Sequence, residues 1–225
     1  ADLSCADLRG CDIRDAVLTG AKLHGARLTS SAMEHSKLSG VDLTEASLDN
    51  AYLSHAKLDQ AILRNARLPR AQLSAAQLNN ADLRGADMRG AILNRADLRG
   101  ADLSGANLVS TSLMGTDLSG TNLQNVSLGR ASLIAANLAH SNCQNAQMGN
   151  ANLSAADINH ANLSGANLSG SKLMLTNLSH ATLDRANLAR AYFSDAILED
   201  CSLREAVLAR TYMVSANLAR ASLDK

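Results

Sequence analysis

Three histidines, His140, His160 and His180, recur at a fixed interval of twenty residues, and His35 and His55 keep the same interval. Imidazoles in register are raw material for a metal site or a pH-responsive strip. A metal ion needs donors that converge on one point. If the chain coils with that same period, the row is straight, its rings point in parallel and no carboxylate shares its level. The histidines therefore read as a surface ladder, with His140, His160 and His180 the only candidate metal ligands and no cofactor expected. The cysteines, at 5, 11, 143 and 201, fit no zinc or CxxC spacing. The sequence carries no glycine-rich phosphate loop, GxSxG elbow or HExxH helix. Its carboxylates are scattered rather than paired. Nothing in these residues points to an enzyme.

The twenty-residue interval has a finer cause. Written in fives from Ala1, the chain stays in one register through all 225 residues, forty-five repeats without a slip. The third position is Leu in 37 of them, with Ile13, Met33, Met88, Cys143, Met148, Ile158, Phe193 and Met213 as the exceptions. The first position is Ala in 32, and otherwise Cys, Ser, Thr or Val. Positions two, four and five are mostly polar.

A helix would spiral such a pattern around all its faces. A flat strand would throw alternate leucines to opposite faces. Both conflicts vanish if positions one to three form a short extended segment, small-in, polar-out, Leu-in, and positions four and five turn a corner. The corner residues agree. Twelve of the 14 glycines and six asparagines stand at position five, where a type II turn needs positive φ. The one proline, Pro69, stands at position four, which wants φ near −60°. Repeats without Gly or Asn at position five are expected to use another turn.

The motif A(D/N)LXX, as in Ala81-Asp82-Leu83-Arg84-Gly85 and Ala161-Asn162-Leu163-Ser164-Gly165, resembles the pentapeptide-repeat family over the whole chain. The resemblance implies an all-β fold, a right-handed quadrilateral parallel β-helix with four repeats per coil. That gives about eleven coils and, at about 4.8 Å per coil, a rod about 50–55 Å long. We read residues 1–225 as a single solenoid domain without caps or loops. The sequence opens and closes inside the repeat, which suggests a piece of a longer protein.

With position n under n+20, the surface unrolls into four sides, named from Asp2, Asp7, Asp12 and Val17. The second is the basic one, eight Arg (Arg67, Arg70, Arg89 and Arg130 among them) against three Asp. The third gathers outward apolar residues: Tyr52, Ile92, Met114, Ile134, Met174, Leu175, Tyr192, Tyr212 and Val214. Tyr and Met are favoured at interfaces, so this side is the expected contact surface. Asn122, Asn142 and Asn162 line up on the first side, and an amide ladder between coils is expected there.

Formal net charge is zero, and the aromatics are three Tyr and one Phe. This balance excludes a polybasic or strongly acidic protein, and no aromatic interleaves with the arginines as single-strand binding would want. Nucleic acid and small-molecule substrates are not expected partners. No run of apolar residues is long enough for a membrane helix and no signal peptide is visible, which with the free thiols expected of the cysteines points to the cytoplasm. The expected function is a non-catalytic scaffold that meets a protein partner or a second copy of itself. Two alternatives come from the resemblance. The quinolone-resistance branch of the family modulates a type II topoisomerase, gyrase, as a DNA mimic. Those members are acidic, with Phe-rich centres and a terminal dimerising helix, and this chain departs on each point. Some secreted bacterial effectors also carry such arrays.

Overall fold

The computed structural model describes residues 1–224. Their secondary structure is a single motif repeated: one bridging residue, then a two-residue turn. Every bridge is parallel and joins a second-position residue to the one twenty further on, from Asp2 with Lys22 to Ser202 with Ser222. Twenty residues thus make one coil, with four short sides and four corners. The register never shifts along the chain.

Backbone hydrogen bonds explain why so short a segment suffices. In the first repeat, the Leu3 N–H donates to the Lys22 carbonyl (2.8 Å), the Cys5 N–H to the His24 carbonyl (2.8 Å) and the Ala6 N–H closes the turn on Leu3 (3.1 Å). The second-position N–H of Lys22 donates back to Ala1 (2.9 Å). Four of the five N–H groups in a repeat are therefore satisfied by backbone alone.

The fifth, at position four, is met by a side chain in the repeats that carry Asp or Asn at position two. Asp or Asn at position two turns its oxygen onto it, as Asp102 does for Ser104 (2.9 Å) and Asn162 for Ser164 (3.0 Å). This local cap explains the D/N of the motif, which the sequence pattern shows only as an outward polar position. It also corrects the expected amide ladder. The Asn142 and Asn162 oxygens serve their own repeats. Of that row, Asn122 alone also donates across coils, to Asp102 (3.0 Å).

The corners differ from expectation as well. Every fifth-position residue from Cys5 to Arg220 has φ between 53° and 68°, including 32 that are not glycine. Among the described residues no corner from Cys5 to Arg220 departs from this left-handed conformation. A left-handed L-residue costs roughly 1–2 kcal/mol, yet the corner N–H must meet the carbonyl of the coil above. A different turn at one corner would unstack both neighbouring coils. Glycine also leaves room for an asparagine side chain at Gly85 and Gly170, where any larger residue would make it swing away. A Cβ there would lie 2.5 and 2.7 Å from the side-chain oxygens of Asn65 and Asn150, one coil before.

First and third positions fill the interior. All of them from Ala21 to Leu203 are buried. In the first and last coils, which pack on one neighbour only, they are partly exposed. Small residues are required at position one because each side already directs a Leu to the axis. Where Ser or Thr replaces Ala, its hydroxyl donates to a nearby backbone carbonyl, as Ser31 does to Leu28 (2.7 Å) and Thr116 to Leu93 (2.8 Å), except at Ser141, which pairs with the Cys143 sulfur (3.3 Å).

The second-position carboxylates add a pH dependence. Asp82 accepts two hydrogen bonds from Arg84 (2.8 Å each) and one from Arg64, and these hold its pKa down at about 2. An unfolded carboxylate titrates near 4. The stabilisation is therefore present above about pH 4 and is lost as pH falls toward the folded value. Melting followed by circular dichroism should show a falling midpoint between about pH 4 and 2. That slope should flatten in Asp82→Asn, which keeps the cap and loses the charge; an identical slope in the variant would remove Asp82 from the account.

Candidate interaction surface

The third side presents its residues in two outward columns and a corner. Tyr52, Ile92, Tyr192 and Tyr212 are second-position residues; Met114, Ile134, Met174 and Val214 are fourth-position ones; Leu175 is at a corner. Seven of the nine are exposed, with Leu175 at 66% and Val214 at 69% the most open. Ile134 and Met174 are half-buried. Polar positions interrupt the columns, at Ser112, Ser132, Asn152 and Lys172 in one and Ser154 and Ser194 in the other. The apolar residues therefore resolve into Tyr52 alone, a middle group, Ile92, Met114 and Ile134, and a C-terminal group, Met174, Leu175, Tyr192, Tyr212 and Val214. Tyr192 and Tyr212 stack with ring centroids 4.8 Å apart and planes 3° from parallel. A tyrosine held against its twin loses less freedom on meeting a partner.

The basic side is more neutral locally than its composition indicates. Arg67 pairs with Asp49 (3.0 Å), and Arg89 with Asp87 (2.7 Å). Arg70 and Arg130 have no carboxylate partner among the described residues.

The histidines stack as their interval predicts. His140 and His160 lie 4.9 Å apart at 5°, His160 and His180 4.7 Å at 12°, and His35 and His55 5.0 Å at 3°. Parallel rings hold their lone pairs in parallel planes, not on one point. Among the described residues no group of three His, Cys, Asp or Glu is arranged to hold a metal ion. The column continues beyond His180 in a way that the histidine spacing does not reveal. Asp200 Oδ2 lies 3.8 Å from His180 Nδ1, and Arg220 then pairs with Asp200 (2.7 Å) and Glu199 (2.6 Å).

The four thiols are free. Burial pushes Cys143 up to about 11 and Cys201 up to about 12, so both are poor nucleophiles at neutral pH. Among the described residues no helix is long and apolar enough to cross a membrane.

A stacked coil of capped five-residue repeats of this kind defines a class of repeat solenoid. The family model described as pentapeptide repeats matches in eight copies that together cover residues 1–224, from 1–40 to 186–224. The chain belongs to the pentapeptide-repeat family. It is similar to HetL, a pentapeptide repeat protein involved in heterocyst differentiation regulation from the cyanobacterium Nostoc sp. strain PCC 7120. There the identity is 30% over 94% of this chain and 89% of that one, with a TM-score of 0.40. QnrB1, a plasmid-mediated fluoroquinolone resistance protein, is 18% identical over 97% of this chain and 92% of its own, with a TM-score of 0.48. A thylakoid-lumen pentapeptide repeat protein of Arabidopsis thaliana is 22% identical over 53% of this chain and 69% of its own, with a TM-score of 0.20. Comparison with curated proteins gives no match.

Proposed function

We propose that this protein is a non-catalytic scaffold, a right-handed solenoid whose third side meets a protein partner or a second copy of the chain. One observation carries the reading: the apolar outward residues, with all three tyrosines, concentrate on that side and end in the stacked Tyr192–Tyr212 pair. Aromatic side chains anchored in this way are typical binding hot spots. The engaged state of the polar groups supports a role without chemistry. Carboxylates and amides at position two cap backbone N–H groups, and interior hydroxyls donate to carbonyls. A DNA mimic needs a strongly acidic surface, and the zero formal charge does not favour it.

The double variant Ile134→Lys with Met174→Glu leaves the interior untouched. It should lower the mass seen by light scattering if the chain self-associates, or abolish capture of a partner that the parent captures. A variant that matches the parent in both measurements would remove the third side from consideration.

A further inference from the structure

Four arginines of the second side occupy fifth positions: Arg70, Arg130, Arg190 and Arg210. Where a carboxylate stands two residues back, it neutralises an arginine at position four, as Asp7 does Arg9 (2.6 Å) and Asp87 does Arg89 (2.7 Å). A fifth-position arginine can use only carboxylates of neighbouring coils. Arg220, at the corner of the fourth side, has them in Asp200 and Glu199. Arg190 and Arg210 do not. The second side carries no acidic residue after Asp87, and neither arginine has an ion-pair partner among the described residues.

These two stand one directly above the other, n and n+20, at about 4.8 Å per coil. Both are exposed. They line a groove of about 470 Å³ whose floor includes Ser169, Gly170 and Ala209. The floor also offers a free donor. The Ala189 N–H is capped by Asn187 (3.1 Å), but the repeat of Ala209 has Val207 at position two, and among the described residues the Ala209 N–H meets no acceptor. Tyr192 and Tyr212, two residues beyond each arginine, stack on the adjoining third side. Adjacent like charges repel unless an anion lies between them. Planar guanidinium forks beside a free backbone N–H suit phosphoryl oxygens in particular.

We propose that the Arg190–Arg210 groove binds an oligophosphate chain, either free or as the triphosphate of a nucleotide. The binding does not depend on the docking role of the third side. Calorimetric titration with inorganic tripolyphosphate at low salt tests it. One saturable site is expected, about tenfold weaker in Arg190→Gln and in Arg210→Gln and unchanged in Arg95→Gln, a lone unpaired arginine on another side. Matching thermal melts show that the variants fold. ATP separates the two sources. Tighter binding than tripolyphosphate, lost in Tyr212→Ala, assigns a nucleotide; equal or weaker binding assigns the bare phosphate chain. Absence of saturation at millimolar concentrations, an equal loss in Arg95→Gln, or citrate binding as tightly as tripolyphosphate would overturn the proposal.

Discussion

Leu108→Asp is expected to take the rod apart at its middle. Leu108 has no solvent exposure and lies between Met88 and Leu128, one coil to either side. Losing its burial removes about 1.5–3 kcal/mol. The new carboxyl then sits on an axis with no cation and few free donors. It must stay charged without a partner or take up a proton, and either adds several kcal/mol. The total exceeds about 4 kcal/mol, the range reserved for buried charges and large cavities. Each coil touches only its neighbours, so the damage should fall first on the coils around 88–128. Limited proteolysis should cut there, and the circular dichroism melt should drop or vanish. Leu108→Ala, which leaves only a cavity, should cost about 2–5 kcal/mol. A soluble aspartate variant with the parent's melt would contradict the stacked interior.

The second large effect is expected for Phe193→Ala. Phe193 is the one aromatic residue inside the coil, buried between Leu173 and the partly exposed Met213. Truncating a buried Phe costs about 3–5 kcal/mol. The loss should be local. Hydrogen exchange should quicken from about residue 191 onward, while backbone amides of the coils before Leu173 keep the parent's protection. A uniform rise along the whole chain would mean that the coils unfold as one unit, and would overturn the expected local loss.

Both predictions rest on features legible in the repeat itself. Apolar third positions and small first positions locate the interior, because an odd period can keep both inside only if a corner follows each short segment. The pairing of n with n+20 came with the family resemblance, and the bridges bear it out. The corners were only partly legible. Glycine and asparagine advertise positive φ, but His35, Arg70 and Leu175 adopt it with no such signal. Their conformation is imposed by the coils above and below. The cap at position two was hidden for a different reason. Alternation of polar and apolar residues shows which way a side chain faces, not that its oxygen bends back two residues along the chain.

The surface divides in the same way. The unrolled sequence places the third-side residues and the aligned histidines, since each depends only on the repeat register and on the n with n+20 pairing that the resemblance implies. It does not show that Ile134 and Met174 are half-buried, that Arg67 and Arg89 meet carboxylates, or that Asp200 reaches His180. Those depend on rotamers and on neighbours a coil away.

The histidine interval of twenty residues was thus determined by the sequence alone, as was the five-residue period beneath it, because periodicity is a property of the chain. Which charges remain free was decided by the tertiary structure. Coiling brings residues twenty apart into contact, and there Arg220 gains two carboxylates while Arg190 and Arg210 gain none.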